Sequence, residues 1–170
     1  MSTYWLGLGT NLGDRAAALQ GAVDSLMAAG AEVLAVSPVY ETAPQDLEDQ
    51  PAFLNAVARV RSDLAPVDML ALAKRIEADA GRQQGGVRYG PRPLDVDLLA
   101  WDGGAFRCDD PDLVIPHARL AERRFALVPL ADLDPGMVLP DGRAVAALCD
   151  AIAPASQPVT AVPVVVTPRP

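Results

Sequence analysis

Asp95 and Asp97 stand one residue apart in LDVDLLAW, a run otherwise made of aliphatic and aromatic side chains. In an extended strand, residues i and i+2 project to the same side about 6.6 Å apart, so both carboxylates face one spot while Leu94, Val96 and Leu98 face the other. At a separation of ~6 Å and an effective dielectric of about 20 the two anions repel by roughly 3 kcal/mol, which favours a bound cation or a shifted proton affinity. A hard, oxygen-only donor pair suits magnesium, and such a pair can hold two ions against phosphate oxygens. The same alternation describes a half-buried strand with a solvated acidic face, so the pair alone does not decide between the two readings.

The surrounding charge favours the cation. Nine of the fourteen basic residues fall between Lys74 and Arg124, in a chain of net charge -8. Arg82, Arg88 and Arg92 lead into the aspartates, and His117, Arg119, Arg123 and Arg124 follow them. Thirteen of the fourteen are arginine, whose planar fork binds phosphate oxygens in pairs. An arginine-rich composition explains the residue type but not the clustering, which reads as a polyphosphate site. His117, the only histidine, either makes a structural hydrogen bond or donates to a phosphate or leaving group. Phe53, Asn55, Tyr89 and Phe125 offer an aromatic clamp with one amide for a flat heterocycle, or are core residues. Gly7, Gly9 and Gly13 have a last gap one residue too long for a dinucleotide fingerprint, and no GxxxxGK motif occurs. The glycines are therefore assigned to a strand-to-helix turn.

Positioning these groups requires a sheet. Residues 3–8 read as a first strand, and Asp14 caps a helix whose Leu19, Val23, Leu26 and Met27 form one stripe closed by Gly30. A second strand is predicted at 33–40, then a surface loop, ETAPQDLEDQPAF, then a third strand at 53–61 antiparallel to the second. Pro66 opens a second helix bearing Met69, Leu72, Ala73 and Ile76, ended by Gly81. Residues 81–93 read as a loop and 94–101 as the fourth strand. This order predicts an α+β, ferredoxin-like antiparallel sandwich with both helices on one face of the sheet, in a single domain spanning 1–153. Beyond it are expected a proline-bounded turn, a helix at 118–130 and little regular structure after Pro140. The proline-rich tail at 154–170 either frames an edge strand or trails.

A length of 170 residues allows one domain with a sizeable core, and 51% hydrophobic against 21% charged residues excludes wholesale disorder. The acidic balance argues against non-specific nucleic-acid or acidic-membrane binding. Two distant cysteines, Cys108 and Cys149, make neither a disulfide framework nor a metal cluster. With no basic, apolar leader and no long apolar run, the expectation is a cytoplasmic protein.

Five ordered motifs then coincide: LGTNLGD at 8–14, YETAP at 40–44, QPAFLN at 50–55, GPRPLDVD at 90–97, and Ile115-Pro116-His117 through Arg123, Phe125 and Pro129-Leu130. Together they resemble the 6-hydroxymethyl-7,8-dihydropterin pyrophosphokinase family across residues 3–145. The resemblance implies transfer of pyrophosphate from ATP, as co-substrate, to the hydroxymethyl group of a reduced pterin for folate synthesis, releasing AMP. It implies two Mg2+ ions on Asp95 and Asp97, and catalytic roles for Arg82 and Arg92. Glu77, Arg88, Tyr89, Arg92, Leu98, His117 and Arg123 would contact the nucleotide. Thr42, Ala43, Gln45, Phe53, Asn55, Tyr89 and Phe125 would hold the pterin. The loops at 43–50 and 81–93 would close over ATP. The implied partners are these small molecules, with no nucleic acid and no membrane, for a monomer. Lys74, Gln84, Tyr89, Pro93 and Asp46 depart from residues usual in the family. Two other readings compete: a diverged, non-catalytic ATP or pterin binder, and a two-metal phosphoryl enzyme acting on another heterocyclic alcohol.

Overall fold

The computed structural model describes residues 1–45, 49–81 and 91–169. The chain runs β1 (Ser2–Thr10), α1 (Arg15–Ala28), β2 (Glu32–Val36), β3 (Tyr40–Thr42), β4 (Phe53–Ser62), α2 (Pro66–Asp79), β5 (Asp95–Trp101), β6 (Phe106–Asp109) and β7 (Asp112–Ile115). A 3-10 turn at Leu120–Glu122 then precedes α3 (Arg124–Leu133), α4 (Val145–Asp150) and β8 (Val159–Ala161). The main sheet has the order β5-β1-β4-β3-β8, with β2 also on β4, and all its pairings are antiparallel.

Local chemistry explains the element ends. Asp14 accepts from the Ala17 amide at 3.0 Å and so caps α1, and Gly30, at φ 85, turns the chain after it. Pro66 occupies the first turn of α2, where its missing N–H costs nothing. The two helices pack on one face of the sheet, burying Leu19, Val23, Leu26, Met69, Leu72 and Ile76 against Tyr4, Leu6, Leu8, Val96 and Leu98. A second, smaller core lies on the other face, where Leu120, Leu127, Leu130, Leu139 and Val145 meet Val57 and Leu99. This is the expected ferredoxin-like α+β sandwich, with α3 and α4 added on its second face.

Four local expectations change. The single strand predicted at 33–40 is two, β2 and β3, because Pro38 has no amide to donate; the Ser37 hydroxyl bridges the break by accepting from the Val57 amide at 2.9 Å. The helix predicted at 118–130 is interrupted at Arg123, whose φ of -116 and ψ of 90 lie outside the helical region. The turn expected after β5 is a hairpin, β6 paired with β7. After Pro140 the chain forms α4 and then β8, so the tail does frame an edge strand, pairing Val159–Ala161 with β3.

Candidate active site

Alternation along β1 sends Tyr4, Leu6 and Leu8 beneath the helices, which leaves Gly7 and Gly9 on the opposite face. The register places Gly9 between Asp95 of β5 and Asn55 of β4, and Gly7 between Asp97 and Val57. The two glycines therefore lie inside the strand as a floor between carboxylates and amide, and not at the turn to which the sequence spacing assigned them. A Cβ on Gly9 would stand 3.2 Å from Asn55 Oδ1, and one on Gly7 3.3 Å from the Leu99 side chain.

An open cleft of about 790 Å3, part of it solvent, forms above this floor. Its lining includes Thr42 at the end of β3, Ala43 and Gln45 after it, Phe53 and Asn55 of β4, Arg92, Asp95 and Asp97, and Arg123 and Phe125 at the start of α3. All the described residues expected around pterin and cation thus line one cleft. Asn55 is 5% exposed and donates to Thr42 Oγ1 at 2.8 Å, which fixes its amide plane and turns Oδ1 toward the floor. Arg92 Nη1 bonds Asp95 Oδ2, Arg123 Nη1 lies 3.5 Å from Asp97 Oδ2, and the Arg123 guanidinium sits 5.7 Å from the Phe125 ring centroid. Burial and the neighbouring Asp95 charge push the Asp97 carboxyl up to about 6, against the lowering pull of Arg123.

Other expected residues stand around the cleft without lining it. Glu77, on α2, is 2% exposed and accepts from the Val96 amide at 2.8 Å and from Lys74 at 3.1 Å. Since β5 pairs only with β1, that amide points off the sheet edge, and the carboxylate satisfies it. Burial raises the Glu77 pKa. Leu98 is 3% exposed within the core beneath the helices, so its side chain does not reach the cleft. His117 is tied to β5 by its amide, which donates to Leu99 O at 2.9 Å, and its Nδ1 accepts from the Arg119 amide at 3.1 Å. Burial and then Arg123 lower its pKa to about 4, so the ring is neutral at pH 7 with Nε2 as its donor. Arg82, Arg88 and Tyr89, and the position of Asp46, lie outside the described residues.

Sequence reasoning missed Asn11. Its buried side chain donates to Gln50 Oε1 at 2.9 Å and Pro51 O at 3.0 Å, and accepts from the Arg92 amide at 2.7 Å. Thr10 adds a bond from its hydroxyl to Pro93 O at 2.6 Å. The end of β1 therefore clasps the segments entering both β4 and β5. Only the position of Asn11 inside the LGTNLGD motif pointed to it.

A strand-borne pair of carboxylates, each paired with a guanidinium group, thus shares one cleft with a buried amide and the Phe53 and Phe125 side chains. The family model described as 7,8-dihydro-6-hydroxymethylpterin-pyrophosphokinase matches residues 5–135, and the chain belongs to that family. It is 44% identical to the 2-amino-4-hydroxy-6-hydroxymethyldihydropteridine pyrophosphokinase of Methylorubrum extorquens, over 82% of this chain and 87% of that protein. It is 42% identical to the mitochondrial folate synthesis bifunctional protein of Pisum sativum, over 75% of this chain and 24% of that one. The chain thus spans about a quarter of the length of this bifunctional relative. Among solved structures, Plasmodium falciparum HPPK-DHPS with pteroate shares the fold, with a TM-score of 0.68 at 15% identity over 88% of this chain and 44% of that one. No helix among the described residues is long and apolar enough to cross a membrane.

Proposed function

We propose that this chain transfers a diphosphate group from ATP to the hydroxymethyl group of 6-hydroxymethyl-7,8-dihydropterin, with AMP as the other product. The observation that carries the reading is the shared cleft, which sets Asp95, Asp97, Arg92 and Arg123 against Asn55, Phe53 and Phe125. Membership of the family supports it.

The donor set fits magnesium. Two carboxylates of a single strand face one cavity, and the Asp97 carboxyl is raised first by burial and then by the Asp95 charge, a repulsion that a cation would relieve. Asp95 and Asp97 would hold the two Mg2+ ions, which hard carboxylate oxygens suit. When bound, the metal neutralises phosphate charge and acidifies the pterin hydroxyl.

The chain's own groups then supply binding and alignment. Arg92 and Arg123 grip phosphate oxygens, and neutral His117 donates from Nε2 without adding charge. The pterin edge hydrogen-bonds to Asn55 and to the main chain of Thr42, Ala43 and Gln45, while Phe53 and Phe125 flank its faces. The hydroxyl oxygen attacks the β-phosphorus, the bond from that phosphorus to the α,β-bridging oxygen breaks, and the hydroxyl proton passes to solvent. Positioning and electrostatics carry the rate, with no strong protein base. Leu98 can meet the nucleotide only through its main chain, and Glu77 acts by holding β5. Arg82, Arg88 and Tyr89 would serve the nucleotide; the loops expected at 43–50 and 81–93 include residues outside the described ones. The working unit is proposed as a cytoplasmic monomer whose catalytic groups lie within 1–153, with the tail at 154–170 packed onto the sheet through β8.

The test is AMP release from Mg-ATP with and without the pterin. Pterin-dependent AMP, abolished by Asp97→Ala, supports the reading. Turnover that survives Asp97→Ala would overturn the role of the metal pair.

A further inference from the structure

The family model ends at residue 135, yet the chain after it returns to bond the walls of the cleft. β8 pairs with β3 in the register Thr42↔Val159, two residues beyond Gln157. Gln157 Oε1 accepts from Gln45 Nε2 at 2.7 Å and from the Arg124 amide at 2.8 Å. Its Nε2 donates to Glu122 O at 3.0 Å, and its carbonyl accepts from Arg124 Nη1 at 3.3 Å.

These bonds join two walls. Gln45 belongs to the wall that follows β3, and Phe125 and Ala126 open the wall made by α3. The Arg124 amide is a first-turn donor that helix geometry leaves without an internal partner, and no local side chain caps α3. A residue 33 positions away does so instead. The cap shares its acceptor atom with Gln45, so the entry of α3 and the end of β3 are referred to a single atom.

We propose that Gln157 is a positioning residue for the heterocycle, setting the spacing between the Gln45 wall and the Phe125 wall. This rests on the reading of the cleft as a pterin site. Gln157 bonds Glu122 and Arg124, on either side of Arg123, but neither Arg92, Arg123 nor the carboxylates themselves, so its larger influence falls on the heterocycle.

The experiment compares wild type, Gln157→Ala, Gln45→Ala and the double variant. Calorimetry measures the Kd of hydroxymethyldihydropterin, with Mg2+ and a non-hydrolysable ATP analogue present, and the Kd of the analogue alone. Amide hydrogen exchange is followed in the free proteins. In Gln157→Ala, exchange at Arg124 should quicken about tenfold, pterin Kd should rise about five- to tenfold, and analogue Kd should stay within twofold. In the Gln45→Ala background, removing Gln157 should cost less than half its single-variant factor. Unchanged pterin Kd, equal weakening of both ligands, or full multiplicative effects in the double variant would each overturn the proposal. Wild-type protein that binds no pterin would overturn the functional reading itself, whereas a binding wild type with an equally competent variant overturns the role of Gln157 alone.

Discussion

Replacing Gly9 by alanine separates the needs of the fold from those of the cleft. Gly9 lies one residue from the end of β1 but is paired on both sides, so an alanine there should gain up to about 0.5–1 kcal/mol of backbone stability. The new methyl, however, stands 3.2 Å from Asn55 Oδ1, a few tenths of an ångström inside ordinary contact. Asn55 cannot swing away freely, because its Nδ2 is bound to Thr42 Oγ1. The amide must tilt, and the methyl also fills the floor. Losing one well-aligned hydrogen bond to a desolvated ligand edge costs about 1–3 kcal/mol, which corresponds to a 5- to 150-fold rise in the KM for pterin. The KM for ATP should stay within about twofold, and Tm should hold within about 3 °C. Steady-state AMP release at varied pterin, with thermal unfolding on the same samples, reads both quantities. A normal pterin KM in a folded Gly9→Ala protein would refute the account of the floor, and a fall in Tm of many degrees would show that the glycine serves the fold. Gly7→Ala is the counterpart: its methyl meets the buried Leu99 side chain at 3.3 Å, so it should lose about 1–3 kcal/mol by overpacking.

Asn11→Ala removes three hydrogen bonds from a 2% exposed site and leaves the Arg92 amide without its acceptor, so denaturant unfolding should show a loss of about 2–4 kcal/mol. His117 titrates near 4 in the fold against about 6.5 unfolded, so its contribution is intact above pH 6.5 and is lost as pH falls toward 4, by up to about 3 kcal/mol. An asparagine at 117 keeps an acceptor for the Arg119 amide without that titration, so its unfolding free energy should fall less steeply than wild type across the window; parallel curves would contradict the assignment. Val166→Ala, at a tail residue 4% exposed in the core under the helices, should cost about 1–2 kcal/mol, and an unchanged midpoint would mean the tail is not docked in solution.

The sheet and its two helices could be read from sequence because period-2 and period-3.6 patterns run long there, as in 94–101 and in the stripe of Leu19, Val23 and Leu26. The carboxylate pair was equally legible, since strand geometry alone sets both side chains on one side. The hairpin of β6 and β7 was not, because its four-residue strands carry too few apolar side chains to show a period. Gly7 and Gly9 were misplaced for a different reason. A glycine run looks the same in sequence whether it makes a turn or leaves a strand face bare, and only the partners across the strand distinguish the two. Asn11 and Gln157 act across separations of 81 and 33 residues, and no local pattern encodes such contacts.

The clasp at Arg92 has a mechanical meaning. Asn11 exchanges main-chain and side-chain bonds with both the N–H and the C=O of Arg92, and Thr10 holds the next carbonyl, so the backbone is bolted to the sheet just upstream of Asp95. On the proposed reading, the pair would serve as a fixed anvil against which an incoming nucleotide is seated.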